Sequence, residues 1–150
     1  MKNQIFKILL LSFFTTAFVV LYSFDANAQQ KKTNPGIRFT TRTYREVLAA
    51  AKITHKMIFI DAFATWCAPC KELQRTTFKD AKAAAYFNKN FINYSVDVEK
   101  GEGIDLAKGW QIEGLPTLLI IDENGKVLVN HTGYVDGNGL IEFAHEISDK

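Results

Sequence analysis

The sequence predicts an α/β domain, a central mixed sheet with helices on both faces. Three observations point to it. Strand-like and helix-like segments alternate along residues 37–150, which implies crossover units with parallel strands. Met57–Phe63 is a short, nearly continuous apolar run, the mark of a strand covered on both sides. Two further apolar runs flank Glu123-Asn124-Gly125, a hairpin signal that adds antiparallel strands.

The elements follow in order. Tyr44, Val47, Leu48 and Ala51 recur at helical spacing and predict an amphipathic helix. The strand Met57–Phe63 leads into Cys67, after which Lys71–Arg75 reads as helical. A second, alanine-rich helix spans Asp80–Lys89, with Asp80 as its N-cap. Phe91–Val98 is strand-like, and Gly103–Gln111 reads as a short helix. Thr117–Asp122 and Lys126–His131 form the hairpin. Leu140, Ile141, Phe143, Ala144 and Ile147 mark a closing helix.

Residues 1–28 stand apart from this pattern. Lys2 and Lys7 precede an apolar run from Ile8 to Tyr22, and Ala26-Asn27-Ala28 is a small-x-small site. We read them as a signal peptide cleaved after Ala28, an uncleaved anchor being the rival reading. Gln29–Gly36 reads as a flexible lead that ends in a Pro-Gly breaker. An export signal implies the periplasm, or a membrane-anchored form if the segment stays.

Composition excludes several classes. The 150 residues carry 18 Lys+Arg against 16 Asp+Glu, a formal net charge of +2, with no basic run. That leaves no footprint for nucleic acid. An apolar fraction of 47% is too high for a disordered chain, and two cysteines cannot build a disulfide-rich scaffold.

Both cysteines fall in one motif, Trp66-Cys67-Ala68-Pro69-Cys70-Lys71, where a buried strand runs into a helix. A cysteine at a helix N-terminus meets unpaired N–H groups and the positive end of the dipole, which favour the thiolate. The thiolate is the attacking species in disulfide exchange. Two intervening residues let the second cysteine reach the first across one turn, and Pro69 falls in the first turn, where a missing N–H costs little. Other readings compete. A zinc site would need His55, His131 and His145, none spaced as a ligand pair. Covalent haem needs His where Lys71 stands. A static disulfide would close a tiny loop and stabilise little. Inert core thiols fit poorly with the flanking Trp66 and Pro69.

The motif resembles the active site of the thioredoxin superfamily, usually Trp-Cys-Gly-Pro-Cys-Lys. Glu113-Gly114-Leu115-Pro116-Thr117 resembles that family's cis-proline loop, Asp122–Lys126 its hairpin turn, and Gly133 the glycine after its last strand. The likeness covers about residues 38–148. Thr77-Phe78-Lys79-Asp80, with the export signal, is similar to periplasmic relatives such as the C-terminal domain of the transmembrane disulfide reductase.

The resemblance implies a thioredoxin-like three-layer fold and a thiol–disulfide oxidoreductase with no metal or organic cofactor. Cys67 would be the attacking thiolate and Cys70 the resolving thiol. Asp61 would be the buried acid that exchanges a proton with Cys70; a carboxyl closing an apolar strand also has physical reason for a raised pKa. Substrate contacts are implied at Trp66, Ala68, Pro69, Leu115 and Pro116, and Trp110 is read as plain packing. The implied partners are proteins with disulfides and a membrane-bound electron donor, and the state is a monomer. The uncharged pair Ala68-Pro69 favours a reductase; an oxidase or isomerase, or a non-catalytic binding module, are the alternatives.

The chain departs from the family's pattern in two places. Ser95 stands where many thioredoxins carry a lysine near the buried acid, and Lys100-Gly101-Glu102-Gly103 is extra. Asp97, Glu99, Glu102 and Asp105 look superficially like a calcium loop, but Gly101 takes a ligand position and Glu102 the obligatory glycine. Asn93 and Asn130 begin formal glycosylation sequons that read as strand residues.

Overall fold

A computed structural model of the chain describes residues 36–149. The expected signal peptide at 1–28 and residues 29–35 of the lead lie outside the described residues. Five strands form one sheet: β1 (Phe39–Thr40), β2 (Met57–Phe63), β3 (Phe91–Asp97), β4 (Thr117–Ile121) and β5 (Val127–Thr132). Their order is β1-β3-β2-β4-β5. β1 and β2 run parallel to β3, whereas β4 is antiparallel to both β2 and β5. β2 is therefore hydrogen-bonded along both edges, and its central residues are buried.

Helices α1 (Tyr44–Thr54), α2 (Ala68–Arg75), α3 (Ala81–Asn90), α4 (Gly103–Gly109) and α5 (Gly137–His145) cover the sheet. Strand alternation divides the core in two. Phe59 of β2 faces Leu73 of α2, Phe87 of α3 and Leu140 and Phe143 of α5. Ile58, Ile60 and Ala62 face Val47 and Ala51 of α1, with Leu106 of α4 packed alongside. This is the three-layer α/β arrangement that the alternating pattern predicts.

Local chemistry sets the boundaries. Thr43 and Glu46 form a reciprocal capping box at α1. Asp80 caps α3 by accepting from the Lys82 and Ala83 N–H groups. In the hairpin, Asp122 Oδ1 accepts from Asn124 and Lys126 N–H, and Gly125 takes the left-handed conformation, φ 86°. Asp122 and Lys126 thus belong to the turn rather than to the strands. α4 stops at Gly109, short of the expected Gln111, which has a positive φ of 55°.

Two short elements carry too few residues to show a period. β1 pairs with β3 for two residues only. Asn88 supports it by accepting from Arg38 N–H at 2.8 Å and donating to the Gly36 carbonyl at 3.0 Å. A 3₁₀ turn at Thr77–Lys79 buries Phe78 between α2 and α3. Trp110 packs edge-on against Tyr44, as plain packing requires.

Gly103 opens α4 directly against the end of β3, where an added Cβ would collide with the Asp97 carbonyl and the Val96 side chain. Gly103→Ala should therefore destabilise the domain by about 1–3 kcal/mol, the usual cost of overpacking. Urea denaturation reads this as a lower midpoint at unchanged slope; an unaltered midpoint would show that the α4 start moves away freely.

Candidate active site

β2 carries its chain out of the core at Phe63, and four residues later the chain turns into α2. Cys67 is the N-cap of that helix, and its Sγ accepts from the Cys70 N–H at 3.2 Å. Ala68 and Pro69 fill the first two helical positions, where no intrahelical donor is needed. Cys67 and Cys70 are joined as a disulfide, with their Cα atoms 5.3 Å apart. The bridge sits where α2 directs its unpaired N–H groups.

The disulfide is sheltered. Cys67 and Cys70 are 2% and 1% exposed and pack with Ala64, Phe63 and Leu115. In this oxidised form the two cysteines are therefore equally sheltered. Ala68 and Pro69 lie exposed above the bridge. The Leu115–Pro116 bond is cis. Pro116 is buried, and its carbonyl accepts from Gly133 N–H at 2.8 Å, which ties the loop to the end of β5. Thr117 Oγ1 donates back to the Gly114 carbonyl across the same loop.

Trp66 is no core aromatic, being 66% exposed. Its indole N–H donates to Glu99 Oε1 at 2.9 Å, which holds the ring on the protein while leaving its face open. Glu99 belongs to the segment after β3, as does Glu102. The Glu102 carboxylate accepts from the Tyr44 N–H at the start of α1 and from the Tyr94 hydroxyl at 2.9 Å. Burial, followed by that hydrogen bond, pushes the Tyr94 pKa upward. The carboxylates of the apparent calcium pattern thus have separate partners: Asp97 binds Lys100, Glu99 binds Trp66, Glu102 binds the two tyrosines and Asp105 binds Lys108. Neither Glu99 nor Glu102 is evident from residue pattern alone; the extra Lys100–Gly103 segment was the available signal.

Asp61 is 1% exposed, on the face of β2 that also carries Phe59 and Phe63. Phe63 packs against both cysteines, and Phe59 belongs to the cluster with Leu73 of α2. The carboxyl therefore lies in the sheet floor beneath the active-site helix. Its hydrogen-bond partner is Ser95, whose Oγ donates to Asp61 Oδ2 at 2.8 Å. Burial pushes the Asp61 pKa up to about 6, and the Ser95 hydrogen bond partly opposes that rise. Asn93, the first sequon residue, is buried in β3 and spends its amide on Arg38 and Asn88.

A cysteine pair at a helix start, an open indole beside it, a cis-proline loop against the bridge and a buried acid below form one constellation. Comparison with known proteins agrees with it. Residues 44–147 match the family described as Thioredoxin-like domain. The thiol:disulfide interchange protein DsbD of Vibrio vulnificus is 32% identical over 135 residues, covering 85% of this chain and 23% of that protein. The chain thus spans about a quarter of the length of that relative. Among solved structures, a candidate disulphide-isomerase from Bacteroides thetaiotaomicron is 38% identical with a TM-score of 0.69, covering 77% of this chain and 96% of the other. The oxidised C-terminal domain of Neisseria meningitidis DsbD shares the fold at 22% identity and a TM-score of 0.58, covering 68% of this chain and 90% of that domain. By sequence match and by fold, the chain belongs to the thioredoxin-like domain family.

Proposed function

We propose that the protein is a thiol–disulfide oxidoreductase that reduces protein disulfides in the cell envelope through Cys67 and Cys70. One observation carries the reading: the two cysteines form a disulfide at the N-terminus of α2, with the Cys67 sulfur accepting a backbone N–H. That geometry makes Cys67 the better thiolate, because the same N–H groups and dipole stabilise its charge once the bridge is reduced.

The exchange proceeds in two steps. The Cys67 thiolate attacks one sulfur of a substrate disulfide; that S–S bond breaks, and the other substrate sulfur leaves as a thiolate and takes up a proton. Asp61 then removes the proton of Cys70, and the Cys70 thiolate attacks Cys67 Sγ in the mixed disulfide. The Cys67–Cys70 bridge forms and the second substrate sulfur leaves. Two electrons have passed to the substrate. Trp66, Ala68 and Pro69 form the exposed approach to the bridge, and Leu115, held by the cis bond to Pro116, offers its backbone to an extended substrate segment.

Electron donation is favoured because Ala68 and Pro69 bring neither charge nor side-chain donor to the Cys67 thiolate. The helix terminus acts nearly alone, so the reduced form is only moderately stabilised. A reductase in an oxidising compartment needs recharging, which calls for a membrane-bound electron donor. The signal-like segment 1–28 and the likeness to DsbD both fit a place in the periplasm.

Three outcomes are expected. Alkylation of the reduced protein at pH 6 should label Cys67 before Cys70, and Cys70→Ser should accumulate mixed disulfides through Cys67; labelling of Cys70 first reverses the two roles. Equilibration with glutathione, followed by Trp66 fluorescence, should give a potential well below that of the strong oxidant DsbA, about −120 mV. A value near that figure would make the protein an oxidase. The third outcome concerns Asp61. Its pKa is raised to about 6 from 3.8, so the folded state holds a proton that the unfolded chain has already lost. Stability therefore falls as pH rises from about 4 to about 6, by up to about 3 kcal/mol. Asp61→Asn should stabilise the oxidised protein at pH 7 and lose that advantage below pH 4. An equal effect at both pH values would show that Asp61 is not held protonated.

A further inference from the structure

We propose that Ser95 is a positioning residue for the Cys67/Cys70 exchange: its hydroxyl is the neutral donor that lets buried Asp61 stand as the carboxylate it must be before it takes the proton of Cys70. The inference rests on the oxidoreductase reading above and assigns a role to a residue at which the chain departs from its family's pattern.

The geometry is specific. In the parallel β2–β3 pair, Asp61 stands directly opposite Ser95, so the two side chains rise from the same face. The hydroxyl reaches Asp61 Oδ2 at 2.8 Å. The other elements around Asp61 offer little to a charge. β4 presents Leu118, its cross-strand partner, and Ile120. α2 presents Leu73 and the cysteines, whereas α3 and α5 present Phe87, Leu140 and Phe143. Along β3 on this face, Asn93 lies two residues before Ser95 and Asp97 two residues after it. The Asp97 carboxylate is engaged by Lys100 at 2.7 Å. Along β3 the titratable neighbour on this face is thus another acid, already paired, and across the sheet His131 of β5 stands beyond Leu118, with its ring against Phe143.

A hydroxyl suits the task. It can donate to the carboxylate, and it can rotate to accept from, or still donate to, the protonated acid. Ser95 therefore satisfies Asp61 in both states of the exchange without importing a second charge. A lysine in that place would favour the ionised form alone and would itself need solvation. Removing the hydroxyl should cost the carboxylate more than the acid, because a hydrogen bond to a charged group is the stronger one.

The test follows the Asp61 carboxyl by ¹³C NMR titration of the oxidised protein, and single-turnover reduction of 5,5′-dithiobis(2-nitrobenzoate) by the reduced protein from pH 4 to 9. Ser95→Ala should move the Asp61 midpoint up by roughly half to one pH unit, the worth of one hydrogen bond. The limb of the resolving step should move with it. Ser95→Thr, which keeps the hydroxyl, should restore the wild-type profile. Ser95→Cys, a close isostere with a weak donor, should shift it as Ala does, and it serves if Ala disturbs folding. In Asp61→Asn the limb should be absent with or without Ser95. An unmoved Asp61 midpoint in both Ser95→Ala and Ser95→Cys overturns the proposal, as does a rate lowered equally at every pH. A midpoint that moves in a protein whose reduced form transfers no electrons would refute the oxidoreductase reading instead, and with it the part given to Ser95 in exchange.

Discussion

Asp61 sits in a strand hydrogen-bonded along both edges and packed on both faces, so its carboxyl has protein on every side. Desolvation is the largest influence on it, and the opposing hydrogen bond from Ser95 offsets only part of the rise. A group so placed costs stability when ionised, and an aliphatic side chain would pack there without that cost. What the carboxyl offers in return is a proton that can be held or released near neutral pH, beneath a helix whose first turn carries the reactive sulfurs. The strand whose five central residues are buried between two neighbours also carries the acid and leads into the cysteines. Fold and chemistry therefore draw on β2 and the turn that follows it.

The second constraint is the handling of charge at the edge of the site. Glu99 and Glu102 lie three residues apart in the segment that joins β3 to α4, yet they serve different elements. Glu99 fixes the open indole of Trp66. Glu102 reaches the start of α1 and the Tyr94 hydroxyl, on the face that α1 covers. A carboxylate against helix N–H groups is favourable because the helix dipole is positive there. Gly103 then lets α4 begin in contact with β3. The extra residues of this segment thus form a brace between the site and the helix layer behind it.

Much of this was legible in the residue pattern, for identifiable reasons. β2, β4 and the hairpin announce themselves because their burial is decided by strand alternation and by one turn, Asp122–Lys126, whose chemistry is local. Asp80 is readable as a cap because its partners are the next residues in the chain. The cysteine motif is readable because its spacing is its function. β1 and the 3₁₀ turn at Thr77–Lys79 escape, since two or three residues show no period and their stability comes from Asn88, Phe78 and other distant contacts. The bonds from Glu102 to Tyr44 and from Asp61 to Ser95 span 58 and 34 residues, beyond any local signal. Ser95 stands out in the sequence only as a departure from the family's pattern; its partner is set by the register of β2 against β3.

The burial of both sulfurs ties these points together. An exposed, reactive disulfide would exchange with any thiol it met, whereas one packed against Phe63, Ala64 and Leu115 can be reached only by a partner that fits the approach. Electrostatics gives little selectivity at such a place, because Ala68 and Pro69 carry no charge and the chain as a whole is nearly neutral. Shape must supply it. The braced indole of Trp66 and the cis-proline loop, tied through Pro116 to Gly133, are fixed features beside the bridge. Both are held by bonds to the scaffold, so on the function proposed above little side-chain or loop entropy would be lost when a substrate segment docks. The low exposure of the disulfide and the fixed surroundings of its mouth are two consequences of one design, in which access is restricted and the restriction is made rigid.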